Sequence, residues 1–141
     1  MKIVVSSMGE KLDSIVDPRF GRCAYFVIVN VEENKIKDFE SIQNSGVNAM
    51  GGAGIQAAQL IANKGAKVVI SGNMGPNAFG VLSQTGIKIV TGIGGISVKD
   101  AVERYLKGEL KETSTPSTLG FGPRMGRGRR GGRSQGRDRN W

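Results

Sequence analysis

The first half of the chain alternates short apolar runs with polar stretches, a pattern that predicts β-strands. The predicted strands are 2–6, 24–31 and 36–42, and the polar residues 32–35 between the last two predict a tight turn. The third strand carries Lys37, Asp38 and Glu40. Because charged side chains discourage pairing with other chains, this composition is typical of a strand at the edge of a sheet.

From residue 53 onward the pattern changes to helices and strands in alternation. Helices are predicted over 53–64, 76–84 and 98–106, and strands over 67–71 and 87–90. The last helix has the clearest signals, since Ser97 and Asp100 form a capping pair and Gly108 can end it. Alternating strands and helices predict an α/β fold with a parallel region in its sheet.

Polar or glycine-rich loops follow three of the predicted strands, at residues 6–9, 71–75 and 91–95. In open sheets with parallel strands, ligands bind in the crevice outside the carboxyl ends of the strands. We therefore expect these three loops to converge there. The connections at 9–22 and 43–52 are longer than ordinary ones, which suggests loops that bind a ligand.

The composition excludes several kinds of chemistry. The chain has 141 residues, with no His and one Cys, so it cannot form a Ser-His-Asp triad, an intrachain disulfide or a four-cysteine metal site. Its longest apolar run, residues 23–29, is too short to span a bilayer, and the start of the chain lacks the apolar stretch of a signal peptide. We expect a cytoplasmic protein without a membrane segment.

Positive charge is concentrated at the end of the chain. Residues 1–115 hold 13 Lys and Arg against 11 Asp and Glu, whereas residues 116–141 hold seven Arg and one Asp. Few large apolar residues occur in this last stretch, so it cannot bury enough surface to order itself. We predict a folded domain over 1–114 and a disordered Arg/Gly-rich tail over 115–141. Binding of RNA or DNA through residues 124–139 is the alternative function.

Three glycines lie at the start of the helix predicted at 53–64, and the free N–H groups of a first helical turn favour an anion. They are Gly51, Gly52 and Gly54. Gly52 and Gly54, with Ala57, also fit the looser dinucleotide fingerprint, but no Asp or Glu follows about 20 residues later to hold a ribose. Another anionic ligand and plain close packing of the backbone stay open as alternatives.

A second turn of this kind joins the strand at 67–71 to the next helix. It contains Asn73, Gly75 and Asn77, and Pro76 suits the first helical position. The turn either needs glycine for its shape alone or contributes to a site with the first glycine loop.

Cys23 follows Arg19 and Arg22 at the junction of a loop and a strand. Flanking guanidinium groups would lower the pKa of the thiol, and a thiolate beside them suits an anionic metal–sulfur cluster. In the alternative interpretation Cys23 is a small core residue, and Arg19 is solvated or paired with Asp17.

Segments 17–26, 51–58 and 72–78 together resemble the dinitrogenase iron–molybdenum cofactor biosynthesis family, over about residues 1–110. The resemblance implies a three-layer ribonuclease H-like fold, with a mixed five-stranded sheet of order 3-2-1-4-5, strand 2 antiparallel, and flanking helices. It also implies a non-catalytic carrier or scaffold for an iron–sulfur or iron–molybdenum-type cluster or its precursor. Its partners would be other cofactor-assembly proteins, and the chain would be a monomer or a weak homodimer.

The expected site combines a metal ligand with a positively charged crevice. Cys23 would be the ligand, because the chain has no imidazole. The residues expected to hold the cofactor are Arg19, Gly21, Arg22, Gly51, Gly52, Gly54, Asn73, Gly75 and Asn77. Nuclease chemistry is rejected, since the first strand lacks the clustered carboxylates that two metal ions need.

Overall fold

A computed structural model describes residues 1–44 and 52–114 as an α/β domain. Its elements are β1 (Lys2–Ser7), β2 (Tyr25–Glu32), β3 (Lys35–Gln43), α1 (Ala53–Asn63), β4 (Val68–Ile70), α2 (Pro76–Gln84), β5 (Lys88–Val90) and α3 (Val98–Leu106). Among the described residues, no helix has the length and apolar character that crossing a membrane requires. The predicted tail at 115–141 lies outside these residues.

The five strands form one mixed sheet in the order β3-β2-β1-β4-β5. β1 pairs antiparallel with β2 and parallel with β4. At the two edges of the sheet, β3 pairs antiparallel with β2, and β5 pairs parallel with β4. The predicted fold class, strand order and antiparallel second strand are therefore confirmed. A β-bulge between Asn30 and Val31 shifts the register of the β2–β3 pair.

Two apolar clusters, one on each face of the sheet, form the core. On one face, alternate strand residues such as Val4, Phe26 and Ile28 pack under α1 and α2. On the other face, Val5 and Val27 belong to the cluster that contains α3. Because side chains alternate along a strand, each buried strand supplies both clusters, as a three-layer fold requires.

Hydrogen bonds at the ends of the elements fix the connections. The loop after β1 is tied to the start of α3, because the Val16 and Val98 amides donate to the carbonyls of Ile96 and Ser14 at 2.9 and 2.8 Å. After α3 the chain returns to the β5 edge, where the Thr113 amide donates to Ile89 O. The described fold thus includes residues beyond α3.

Candidate functional site

A crevice of about 320 Å³ opens beside the first turns of α1 and α2. Segments 20–22, 52–55 and 73–78 line it. Seven of the residues expected at the site are among its lining, namely Gly21, Arg22, Gly52, Gly54, Asn73, Gly75 and Asn77. The structure therefore brings the predicted segments together, while their role in binding stays a prediction. Gly51, which was also expected here, lies outside the described residues.

Close backbone packing explains two of these glycines. A Cβ on Gly21 would lie 3.0 Å from the Gly54 amide nitrogen, and one on Gly54 would lie 3.3 Å from the Cβ of Ala78. The loop before β2, α1 and α2 can approach this closely only because these side chains are absent or small. Gly21 and Gly54 thus have the packing role that the sequence left open.

Gly52 and Gly75 are different, since a Cβ on either would meet no atom within 4 Å, although the left-handed φ of +70° at Gly52 itself favours glycine. Both are N-cap residues, of α1 and α2, and neither helix has a side-chain cap or an acidic residue in its first turn. The first-turn N–H groups of an α-helix have no partner inside the helix and carry partial positive charge. Two helix starts of this kind and the Arg22 guanidinium give the crevice an anion-binding character.

A strap formed by residues 17–20 runs across the loop after β4. The Asn73 amide donates to Pro18 O at 2.7 Å, and the Phe20 amide donates to Asn73 O at 3.3 Å. Gly72 lies directly under the strap, where a Cβ would be 2.5 Å from the Pro18 Cα. These contacts hold Asn73 against the segment that leads to Gly21, and both residues line the crevice.

Arg19 does not line the crevice in the described residues, contrary to expectation. Its guanidinium Nε donates to Asp17 Oδ1 at 3.2 Å, and Nη2 donates to Oδ2 at 3.3 Å. This hydrogen bond, with the charge of the carboxylate, raises the pKa of Arg19 above its ordinary value. The alternative interpretation, in which Arg19 pairs with Asp17, is therefore the one that the structure shows, with the Asp17 carboxylate buried.

The expectation that Arg19 and Arg22 lower the pKa of Cys23 is wrong. Cys23 lies in the apolar cluster under α1 and α2, with no exposed surface, and its thiol donates to Phe20 O at 3.3 Å. Burial, and then the negative charge of Asp17, raises the pKa of Cys23 to about 12. A protonated thiol inside the core is a poor metal ligand, so the geometry contradicts the basis of the predicted ligand role. The described residues contain no group of three His, Cys, Asp or Glu placed to hold a metal ion.

Asn44 is a positioning residue that no pattern in the sequence indicated. Its side-chain amide donates to Gly21 O and Cys23 O, both at 3.0 Å, and the residue is buried. Asn44 thereby fixes the loop that presents Arg22 to the crevice.

Only one of the three loops expected at the carboxyl edge lines the crevice, the loop that follows β4. Ser6, expected in a loop, is a residue of β1 whose Oγ donates to Asp17 O at 2.7 Å and lies 2.8 Å from Ser71 Oγ, within hydrogen-bond distance. In the loop after β1, the Met8 amide donates to Ile15 O at 3.0 Å. The Gly92 amide donates to Gly72 O at 2.7 Å, so the loop after β5 lies beside the loop after β4, but its residues do not line the crevice.

Comparison with known proteins gives consistent matches. A family model described as "Dinitrogenase iron-molybdenum cofactor" matches residues 1–108. An uncharacterized protein of Methanocaldococcus jannaschii, MJ0580, is 38% identical over 97 residues, which cover 69% of this chain and 81% of that protein.

Solved structures extend these matches to the fold. The apo form of the orange protein from Desulfovibrio gigas superposes with a TM-score of 0.76 at 38% identity, over 83% of this chain and 96% of that one. The Thermotoga protein TM1290, of the DUF35 family, gives a TM-score of 0.71 at 32% identity, over 84% and 98% of the two chains.

Proposed function

Because the chain belongs to the dinitrogenase iron–molybdenum cofactor family, we propose that it is a non-catalytic cytoplasmic carrier. Its cargo is a preformed anionic metal–sulfur cluster or precursor, held in the crevice between α1 and α2. The observation that carries the proposal is the pair of uncapped helix starts, at Gly52 and Gly75, facing one crevice beside Arg22.

The donor set favours carrying a cluster over assembling one. A protein on which a cluster is assembled needs side chains that exchange with one another as ligands of the metal ions. The described lining offers backbone N–H groups, two Asn amides and one guanidinium instead. These groups can donate hydrogen bonds to the sulfide ligands, oxide ligands or carboxylate oxygens on the outside of a finished cluster. The cargo therefore arrives with its own metal ligands and leaves without breaking any bond between a metal ion and the protein. The relative from Desulfovibrio gigas is described as an apo form, which agrees with a ligand that can be lost.

Titration of the full chain with tetrathiomolybdate, a molybdenum–sulfur dianion, tests the proposal. The experiment is done without air and followed by visible absorption. Arg22→Gln removes a charged donor, and a hydrogen bond of this type is worth about 1.5–3 kcal/mol, so we expect the Kd to rise at least about tenfold. Arg104→Gln removes the same charge from the last turn of α3 and leaves the Kd unchanged.

Cys23→Ala separates this proposal from thiolate ligation. We expect this variant to be less stable than the parent but to keep its tetrathiomolybdate affinity, because the thiol is buried in the core. Loss of binding in Cys23→Ala, with Arg22→Gln unaffected, would contradict the proposal. Metal analysis of protein purified without air then identifies the native cargo.

Nucleic-acid binding is the second candidate, and the seven Arg among residues 116–141 favour it. Residues 124–139 lie outside the described residues, so this function stays a prediction from the sequence. The full chain and a 1–115 truncation are compared for single-stranded RNA binding across a salt series. Contacts between Arg and phosphates predict a steep loss of affinity with salt that disappears in the truncation. Equal binding by both proteins would exclude the tail.

A further inference from the structure

A groove of about 860 Å³ lies on the opposite face of the sheet from the crevice, between α3 and β3. Five strands spaced about 4.8 Å apart make a sheet roughly 19 Å wide, whereas one helix covers about 10 Å. Two helices, α1 and α2, cover one face, but α3 is the described helix on the other. The part of this face nearest β3 is therefore left uncovered.

Apolar side chains form the floor of the groove. They are Leu12, Ile36, Phe39 and Leu106. Phe39 pairs in register with Val29, whose side chain belongs to the α3-side cluster, so the ring faces the α3 layer and not the open edge of the strand. Phe39 nevertheless keeps 40% of its residue surface exposed. A large aromatic residue exposed in a concave surface is typical of a docking site.

Lysines dominate the rim. Lys35, Lys37, Lys99 and Lys107 line the groove, against Asp38 and Glu103. Lys37 is already paired with Glu32 at 3.2 Å. Within residues 1–44 and 52–114, no carboxylate lies within ion-pair distance of the other three lysines. The groove thus combines an apolar floor with a positively charged border.

We propose that this groove docks a short amphipathic helix of a partner protein, with acidic residues flanking its apolar face. The α3 wall runs from Lys99 to Lys107, about 12 Å at 1.5 Å per residue, which accommodates two to three turns of a second helix. Apolar side chains spaced three and four residues apart on that helix contact the Phe39 region, and its Asp or Glu side chains approach the unpaired lysines. The helix completes the outer layer of the fold.

The charge of the chain argues against a second copy as the occupant. The chain carries a net charge of +8, and neither α1 nor α2 has an acidic residue to offer the lysines. The helix with acidic residues, α3, is itself a wall of the groove and packs its apolar face on its own sheet. The groove shares no described lining residue with the crevice, so a partner can dock while the crevice is filled. The inference goes beyond the proposed function and does not depend on it.

The test uses the full chain and two synthetic 15-residue helical peptides with the same leucine positions. One peptide has Glu at the flanking positions and the other has Lys. Calorimetry is expected to show binding of the Glu peptide only, with amide NMR shifts at residues 36–39 and on α3. Lys99→Glu/Lys107→Glu lowers the affinity for the Glu peptide at least tenfold and creates affinity for the Lys peptide. Lys67→Glu/Lys88→Glu, a matched reversal outside the groove, changes neither.

Phe39→Ser tests the apolar floor separately, because the side chain is partly exposed and its loss leaves the core intact. Circular dichroism should be unchanged while the Glu peptide binds at least tenfold more weakly. Equal affinity for both peptides, or NMR shifts confined to the crevice, would overturn the proposal. So would a dimer in light scattering that Phe39→Ser dissociates, or an oligonucleotide that displaces the peptide from the groove.

Discussion

The three helices begin in two different ways. At the start of α3, Ser97 is the N-cap and its hydroxyl accepts a hydrogen bond from the Asp100 amide at 3.1 Å, with the Asp100 carboxylate in the first turn. At the starts of α1 and α2, glycine is the N-cap and no side chain takes this role. The protein thus satisfies the N-terminal N–H groups of one helix and leaves those of the two helices that face the crevice for another acceptor.

Backbone geometry shows that the missing cap of α2 is not a steric necessity. Gly75 has φ −73° and ψ 172°, close to the φ −75° and ψ 161° of Ser97. A Ser or Asp at position 75 would adopt this conformation readily, and a Cβ there has open space. Glycine at this position lowers the stability of the helix start without relieving any clash. Under the proposed function, an anion bound close to the backbone would account for it.

The largest effect on stability that we expect comes from adding a side chain at Gly72, under the strap. In Gly72→Ala, the new Cβ would lie 2.5 Å from Pro18 Cα, a backbone atom held by the Asn73–Pro18 hydrogen bond. Overpacking of this kind costs about 3 kcal/mol, so urea denaturation should show a loss of that order. The strap should also move, and tetrathiomolybdate binding should weaken with it.

Gly80→Ala is the control for that substitution. Gly80 lies inside α2 with open space around it, and Ala is favoured over Gly in a helix by about 0.5–1 kcal/mol, so this variant should be more stable than the parent. Equal stabilities of Gly72→Ala and the parent would show that the strap is not held as the structure indicates.

High pH provides the second test, because the proposed function assigns binding to backbone N–H groups and not to the Cys23 thiol. The pKa of Cys23 is raised to about 12 in the folded chain, chiefly by burial, and returns to about 8.5 on unfolding. Between these values the unfolded chain binds fewer protons, so the free energy of unfolding falls as pH rises, by up to about 1.4 kcal/mol per pH unit. Below pH 8 both states are protonated and the effect is absent.

Cys23→Ala isolates this contribution from the titration of Lys and Tyr. Urea denaturation of the parent and the variant between pH 8 and 11 should give curves whose difference changes with this slope. Parallel curves would mean that the thiol ionises normally in the folded protein, which would restore the thiolate interpretation.

Local patterns in the sequence predicted the elements and their order well, because strand alternation and helix caps depend on neighbouring residues. The Ser97 cap is an example. The environment of Cys23 was not predictable in this way, since Arg19 and Arg22 are near it in sequence but the Arg19 guanidinium turns to Asp17. Burial depends on how the loop folds over α1, a tertiary feature with no periodic signal.

The glycines show the same division. The sequence pattern correctly placed Gly21, Gly54 and Gly75 near one another, because the start of the antiparallel β2 and the end of the parallel β4 lie at one edge of the sheet. It could not separate those required by packing from the one with open space, since that depends on distances such as the 3.0 Å between a Gly21 Cβ and the Gly54 nitrogen. Asn44 was missed for the same reason, because its hydrogen-bond partners, Gly21 and Cys23, are 23 and 21 residues away in the sequence.

Supplying the missing cap at α2 tests the comparison directly. In Gly75→Asp, the carboxylate accepts from the free first-turn N–H groups and places negative charge in the crevice. We expect stability to stay constant or rise by about 0.5 kcal/mol, while the Kd for tetrathiomolybdate rises about tenfold or more. Gly75→Ala, which adds volume without an acceptor, should weaken binding less. Unchanged affinity in Gly75→Asp would mean that the start of α2 does not contact the anion.

Removing the existing cap at α3 gives the smallest effect and completes the comparison. Ser97→Ala leaves the Asp100 amide without its acceptor, and loss of such a cap costs about 1 kcal/mol. Urea denaturation should show this loss, whereas tetrathiomolybdate affinity should not change, because α3 lies on the other face of the sheet from the crevice. A cap that affects only stability at α3, and only affinity at α2, would show that the two kinds of helix start have separate roles. If Ser97→Ala weakened binding as much as Gly75→Asp does, the effect would come from general loosening of the fold, and the glycine starts of α1 and α2 would have no special relation to the anion.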